Sequence, residues 1–258
     1  MIFYFTGTGN SKHAAQMIAE SENDTLYSIT QAVRERKFTY NLDDEKAIGF
    51  VFPVYFGGLP SIVREFIENV RFENIKDKYV YLLLTCGGKT YDAGGMFAKR
   101  MAERGYQVDA LYGVRMPDNY VPMFNPPTGE KAEALLAQAV KEIREIALSI
   151  QARKKGDMIA VKGMFPKAAT ALMYPFYDRT RKTKKFYATD ACTGCGLCEK
   201  ICPCGAIELK NGKPVWVKEI CAQCFGCLHR CPVRAIQFGK GTDKRERYVN
   251  PYSEGLKI

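Results

Sequence analysis

The 258 residues carry a formal net charge of +10 and are 47% hydrophobic, which supports a packed core and excludes a globally disordered chain. No run approaches the roughly 18 consecutive apolar residues of a membrane span. The opening "MIFYFTGTGNS" shows neither a basic leader nor a cleavable apolar region, so the expectation is a cytoplasmic protein whose ten cysteines serve metal or redox chemistry instead of disulfides.

Along the first 155 residues, strand-like runs at 2–5, 25–29, 47–53, 79–85 and 108–114 alternate with amphipathic stretches at 11–20, 61–70, 93–103 and 130–153. In the last stretch Ala132, Leu135, Ala139, Ile143, Ile146 and Ile150 recur at helical spacing, and Gly156 is a natural stop. This alternation predicts an α/β domain over residues 1–155, with a parallel sheet covered by helices on both faces. Periodicity is weak between 29 and 47, which leaves a short helix or a loop open there.

Residues 156–185 read as a basic linker; between 151 and 185 ten Lys/Arg face only two Asp. Such a segment suits a solvated connection, an acidic protein partner, a membrane surface or nucleic acid. No nucleic-acid motif accompanies it, so a nucleic-acid-binding redox sensor is disfavoured and nucleic acid is not expected as a partner. Residues 186–240 are cysteine-dense and punctuated by Gly and Pro. The polar tail, 241–258, is expected to be mobile or draped over a domain.

The cysteine-dense part contains an internal repeat. Cys192, Cys195, Cys198 and Cys202 reappear 29 positions later as Cys221, Cys224, Cys227 and Cys231, and Pro203 recurs as Pro232. Each copy reads C-x2-C-x2-C-x3-C-P. Three thiolates at that spacing reach three corners of an iron–sulfur cube, and the fourth, before proline, ligates the other cube. One [4Fe–4S] cluster is therefore expected on Cys192, Cys195, Cys198 and Cys231, and a second on Cys221, Cys224, Cys227 and Cys202. Paired zinc sites are the competing reading; they usually take two C-x2-C pairs or a Cys/His mixture. The segment resembles bacterial two-cluster ferredoxins, from which Cys204 departs as a surplus thiol that either packs beside a cluster or ligates it.

"FTGTGNSKHAA" follows the first strand and opens the first helix. It is neither G-x-G-x-x-G nor a Walker P-loop, because Lys12 stands where a glycine is needed and the loop is too short. Thr6, Gly7, Thr8, Gly9, Asn10 and Ser11 offer hydroxyl, amide and backbone N–H groups to a single phosphate at a helix N-terminus. T-G-T-G-N-S in this position resembles the phosphate loop of flavodoxins. That resemblance implies a doubly wound five-stranded sheet of order 2-1-3-4-5 with FMN at its switch point. It also implies that the loops after strands three and four sandwich the isoalloxazine ring. These contribute Pro53, Val54, Tyr55, Phe56, Gly57 and Gly58, and Thr85, Cys86, Gly87, Gly88 and Tyr91. Tyr55 or Phe56 and Tyr91 are the stacking candidates. Cys86 either touches the ring or packs. The loop at 116–127, with Asn119, Tyr120 and Phe124, lids the ring or simply connects to the long helix.

Both halves together resemble flavodoxin–ferredoxin fusion proteins of anaerobes. The resemblance implies an electron carrier or reductase component that relays electrons between two [4Fe–4S] clusters and FMN, with a redox protein as donor or acceptor. The alternative is an FMN-dependent reductase of a small organic substrate. For that reading Lys89, Tyr91, Asp92, Asp118 and Tyr120 are the acid–base candidates, since His13 reads as structural and His229 as tuning a cluster or facing solvent. Arg179, Arg181, Lys182, Lys184 and Lys185 are expected to dock an acidic redox protein or to lie against the flavin domain. A homo-oligomer stays open.

Overall fold

The two most apolar runs of the N-terminal half lie at the centre of one sheet, where both faces are covered and no polar alternation is needed. A computed structural model describes residues 1–253. In chain order the first part comprises β1 (Ile2–Tyr4), α1 (Asn10–Glu22), β2 (Leu26–Ser28), α2 (Ile29–Glu35), β3 (Thr39–Asn41), β4 (Ala47–Pro53), α3 (Ser61–Asn69) and β5 (Arg71–Glu73). It continues with β6 (Tyr79–Cys86), α4 (Ala93–Glu103), β7 (Ala110–Arg115), α5 (Gly129–Gln151), β8 (Gly156–Asp157) and α6 (Pro166–Thr180).

The sheet runs β2-β1-β4-β6-β7-β8, with every neighbouring pair parallel. Ala14, Ala15 and Ile18 of α1 and Leu136, Ala139 and Ile143 of α5 fill one face. Ile62, Val63 and Phe66 of α3 and Phe97 and Met101 of α4 fill the other. The order is the expected 2-1-3-4-5 with one correction: a sixth, two-residue strand, β8, pairs with Ala110–Leu111 at the edge. Two residues beside a glycine are too few to show a period, so this strand left no signal. The ambiguous stretch after β2 folds as the seven-residue α2, capped by the Ser28 side chain accepting from the Gln31 N–H at 3.2 Å.

The stretch read as a linker is structured. Helix α6 lies against the sheet's carboxyl edge, where Tyr174 donates to the Leu59 carbonyl at 2.6 Å and Thr170 to the Gly57 carbonyl at 2.7 Å. Arg64 forks onto Asp178 at 2.9 and 2.5 Å.

After a short 3-10 turn, Thr183–Lys185, follow β9 (Phe186–Ala188), α7 (Leu197–Ile201), β10 (Ile207–Lys210), β11 (Lys213–Trp216), α8 (Gly226–His229) and β12 (Ile236–Phe238). Each repeat is a strand, a cysteine loop, a short helix and a strand. The first strand of each copy pairs antiparallel with the last strand of the other, β9 with β12 and β11 with β10. The sequence repeat is thus a spatial two-fold. The tail then drapes over α1: the Asn250 N–H donates to the Thr8 carbonyl at 2.8 Å, and the Tyr248 hydroxyl donates to Asn10 Oδ1 at 2.6 Å. Residues 254–258 of the expected tail lie outside the described residues. Among the described residues no helix is long and apolar enough to cross a membrane.

Candidate functional site

Strand β1 crosses to β2 on one side and the chain then returns to β4 on the other, so loops diverge at the carboxyl edge and leave a crevice. The loops after β1, β4, β6 and β7 enclose a cleft of about 550 Å³ there. Thr6, Gly7, Thr8, Asn10, Ser11, Pro53, Val54, Tyr55, Phe56, Gly57, Thr85, Cys86, Gly87, Gly88 and Tyr91 all line it. Gly9 and Gly58 do not; Gly9 packs beneath Ser253 and Gly58 beneath the Tyr174 ring.

In the first loop the Gly9 N–H donates to Thr6 Oγ1 at 2.9 Å, which closes the turn before α1. The Ser11 and Thr85 hydroxyls share a hydrogen bond at 2.8 Å, and Asn119 Nδ2 donates to Thr8 Oγ1 at 2.6 Å. Asn10 is held by protein on both ends: Oδ1 accepts from Tyr248 and Asn250, and Nδ2 donates to the Pro117 carbonyl. Its amide therefore braces the loop, and an anion would meet the backbone N–H groups of the first turn of α1 together with the threonine hydroxyls.

The second loop is a tight turn. Tyr55 and Gly58 exchange backbone hydrogen bonds at 3.0 and 2.9 Å, and the central residues Phe56 and Gly57 have φ of 52° and 74°. Positive φ at both central positions is the primed turn that glycine eases and phenylalanine resists. The turn sends the two aromatic candidates apart. Phe56 meets Tyr120 edge-on at 5.4 Å and Tyr177 at 5.8 Å, while Tyr55 packs on Phe5 and Tyr177. The Tyr55 hydroxyl oxygen is buried and has no hydrogen-bond partner among the described residues. An unpaired buried phenol costs about 1–3 kcal/mol.

Cys86 is 8% exposed, and burial pushes its thiol up to about 12, so it stays protonated beside the cleft. Tyr91, at φ 47°, comes from the same loop. From the fourth loop Pro117, Asp118, Asn119 and Tyr120 line the cleft, and Met123 and Phe124 form its rim at 64% and 51% exposure.

Two walls were not foreseen. Helix α6 contributes Met173, Phe176 and Tyr177, and the second cysteine loop contributes Gln223 and Phe225. This helix stands within the 156–185 stretch that the sequence reads as a basic linker. Tyr177 ties the three parts together: its hydroxyl donates to the Ala222 carbonyl at 2.9 Å and accepts from the Ser61 N–H at 3.0 Å. His229 is buried, which removes the solvent-facing alternative, and it bolts two segments together. Its Nδ1 accepts from the Tyr248 N–H, leaving Nε2 to donate to the Asn119 carbonyl at 2.8 Å. Arg181 turns inward, with Nε donating to the Cys221 carbonyl at 2.9 Å, whereas Arg179, Lys182, Lys184 and Lys185 are exposed.

Two further cavities lie in the cysteine-dense part. Cys192, Cys195, Cys198 and Cys231 line one; Cys202, Cys221, Cys224 and Cys227 line the other, with Cys204 beside them. The thiols ring a space, and among the described residues no His, Cys, Asp and Glu group converges on a single-ion point. Backbone amides already address the sulfurs: Ala206 N–H to Cys202 and Ala235 N–H to Cys231, at 3.2 and 3.3 Å, are equivalent positions of the repeat. Such donors favour a thiolate. Burial pushes the surplus Cys204 thiol up to about 12.

The second cavity and the cleft share a wall, since Gln223 and Phe225 line both and Cys224 lies between them. The approach is close at Gly7, where a Cβ would stand 2.6 Å from the Cys224 carbonyl oxygen. The cleft thus fits a flat, phosphorylated, largely apolar ligand, and the cavities fit sulfur-bridged metal.

A flavodoxin domain family matches residues 1–125, and a 4Fe-4S dicluster domain family matches residues 191–236. The chain is therefore a redox protein of the FMN and iron–sulfur class. More particularly, it is a flavodoxin–ferredoxin fusion. No curated protein matches it. Among solved structures it is similar to the Trp repressor binding protein of Bacillus subtilis, at 13% identity, 57% of this chain, 96% of that one and a TM-score of 0.38. It is also similar to the rubredoxin oxygen:oxidoreductase of the anaerobe Desulfovibrio gigas, at 17% identity, 58% and 36% coverage and a TM-score of 0.34. The FMN-dependent NADH-azoreductase of Bacillus anthracis in complex with FMN stands at 14% identity, 58% and 97% coverage and a TM-score of 0.35. Likeness this slight carries nothing about function.

Proposed function

We propose that the chain relays electrons between two [4Fe–4S] clusters and one FMN, as an electron carrier or as the reductase component of a larger system. FMN exchanges electrons singly or in pairs and a cubane cluster exchanges one, so together they join pairwise to single-electron chemistry. The parts are a flavin domain over 1–155, a connecting segment over 156–185, a two-cluster domain over 186–240 and the tail over 241–258. Cys192, Cys195, Cys198 and Cys231 hold one cluster; Cys221, Cys224, Cys227 and Cys202 hold the other. The loop from Thr6 to Ser11 takes the phosphate, and Tyr55, Phe56, Gly57, Gly87, Gly88 and Tyr91 surround the ring.

The observation that carries this reading is the shared wall: Gln223 and Phe225 face the cleft on one side and the second cysteine cavity on the other. Fusion keeps the two sites together, an effective concentration on the order of millimolar or higher without a docking step. The test is an absorption spectrum of anaerobically prepared protein with iron, sulfide and flavin quantified. One flavin and about eight irons per chain are expected; four irons, or zinc in their place, would remove the relay.

A second reading, reduction of a small organic acceptor at the flavin, is favoured by the apolar rim of Met123 and Phe124 at the mouth of the cleft. Anaerobic reoxidation of the reduced protein by quinone-like compounds, compared with reoxidation by redox proteins, separates the two.

A further inference from the structure

We propose that Tyr55 joins the two kinds of redox site, its ring forming the flavin wall and its hydroxyl donating a hydrogen bond to the Cys224 sulfur when that thiolate is ligated. This rests on the relay reading above. Tyr55 lines the cleft, and its hydroxyl oxygen is buried and without a partner among the described residues. Its direction is marked by Gly7. The point where a Gly7 side chain would begin lies 3.3 Å from the Tyr55 hydroxyl and 3.2 Å from the Cys224 Cβ. Tyr55 and Cys224 also pack against the same core cluster.

Two other groups also address Cys224: the Gly226 N–H reaches it, and Arg230, whose Nη2 is likewise buried without a partner among the described residues, feels its charge. The Tyr177 hydroxyl, the neighbouring phenol, already donates to Ala222. Gln223 N–H serves Cys221 at 3.3 Å and Ala206 N–H serves Cys202 at 3.2 Å. A phenol is protonated, and so able to donate, throughout the neutral range. A ligated thiolate is an acceptor, and hydrogen bonds to cluster sulfurs make reduction easier. Tyr55 is near Cys224, a residue of the second cavity and not of the first, so the effect is confined to the cluster nearer the flavin.

The experiment compares wild type with Tyr55→Phe, full chain, both loaded anaerobically. Iron, sulfide and flavin are counted first, then both clusters are titrated by electron paramagnetic resonance and the flavin by absorption. The expected result is an unchanged cofactor content and a shift of one cluster to more negative potential, the other cluster and the flavin staying in place. Independently of the variant, resonance Raman bands of iron–thiolate stretching in wild type should move on transfer to deuterated water, and Tyr55→Phe should lose part of that movement. Full cofactor content with neither cluster shifted, or with only the flavin shifted, overturns the role of Tyr55 alone. A wild type lacking flavin or half the iron overturns the relay beneath it.

Discussion

Gly7 is the residue on which the two halves meet most closely. A methyl group there would press on a backbone carbonyl, that of Cys224, at 2.6 Å, and a backbone cannot rotate aside as a flexible side chain does. Overpacking of this kind costs about 1–3 kcal/mol. Gly7→Ala should therefore part the domains locally and weaken flavin binding by roughly 5- to 150-fold, read as flavin per chain after gel filtration; undiminished flavin would show that the contact is not needed. Phe56, Tyr91 and Phe225, all facing the cleft, have φ of 52°, 47° and 54°. L-residues resist that region, and only the surrounding packing holds them there. The sequence makes Phe56 and Tyr91 visible as candidates, though not Phe225. It does not show which way each ring points, because that is set by turn geometry and by Tyr120 and Tyr177 from elsewhere in the chain.

At the scale of elements, α6 and the tail act as two clamps that no periodicity announced. The tail clamp depends on pH. Asn250 Nδ2 donates to His13 Nδ1 at 3.3 Å, which requires the neutral imidazole, and Tyr252 lies 5.2 Å from the same ring. Burial lowers the His13 pKa below the ordinary imidazole range, with Glu20 opposing. A base whose folded pKa is depressed is protonated first in the opened state. The clamp is thus complete above about pH 6.5 and weakens as the pH falls below it. Protection of the amides across residues 248–253, corrected for the intrinsic exchange rate, should fall between roughly pH 7 and 5.5, and His13→Gln should flatten that dependence. Protection that is equally pH-sensitive in the variant would assign the effect to another group.

At the scale of the molecule, the proposed relay runs within one chain, so its rate should not change on tenfold dilution. Exchange with an external acidic redox protein should behave differently. The exposed Arg179, Lys182, Lys184 and Lys185 are solvent-screened charges, and added salt should slow that exchange steeply. Stopped-flow measurement over dilution and salt series checks both. A dilution-dependent internal rate would mean that the electrons pass between chains.

The sequence by itself determined the kinds of site present. Iron–sulfur and phosphate chemistry require certain residues at short fixed spacings, and those spacings stand in the chain whether or not it is folded. Apolar alternation likewise determined the parallel sheet, and the resemblance of the first loop to flavodoxins implied its order. Only the tertiary structure decided that the second cysteine loop walls the flavin cleft, that α6 is a clamp and no linker, and that Asn10 is braced by Asn250 from 240 positions away. Contacts between such distant segments depend on shape and packing after folding, and they leave no period in the residues that make them.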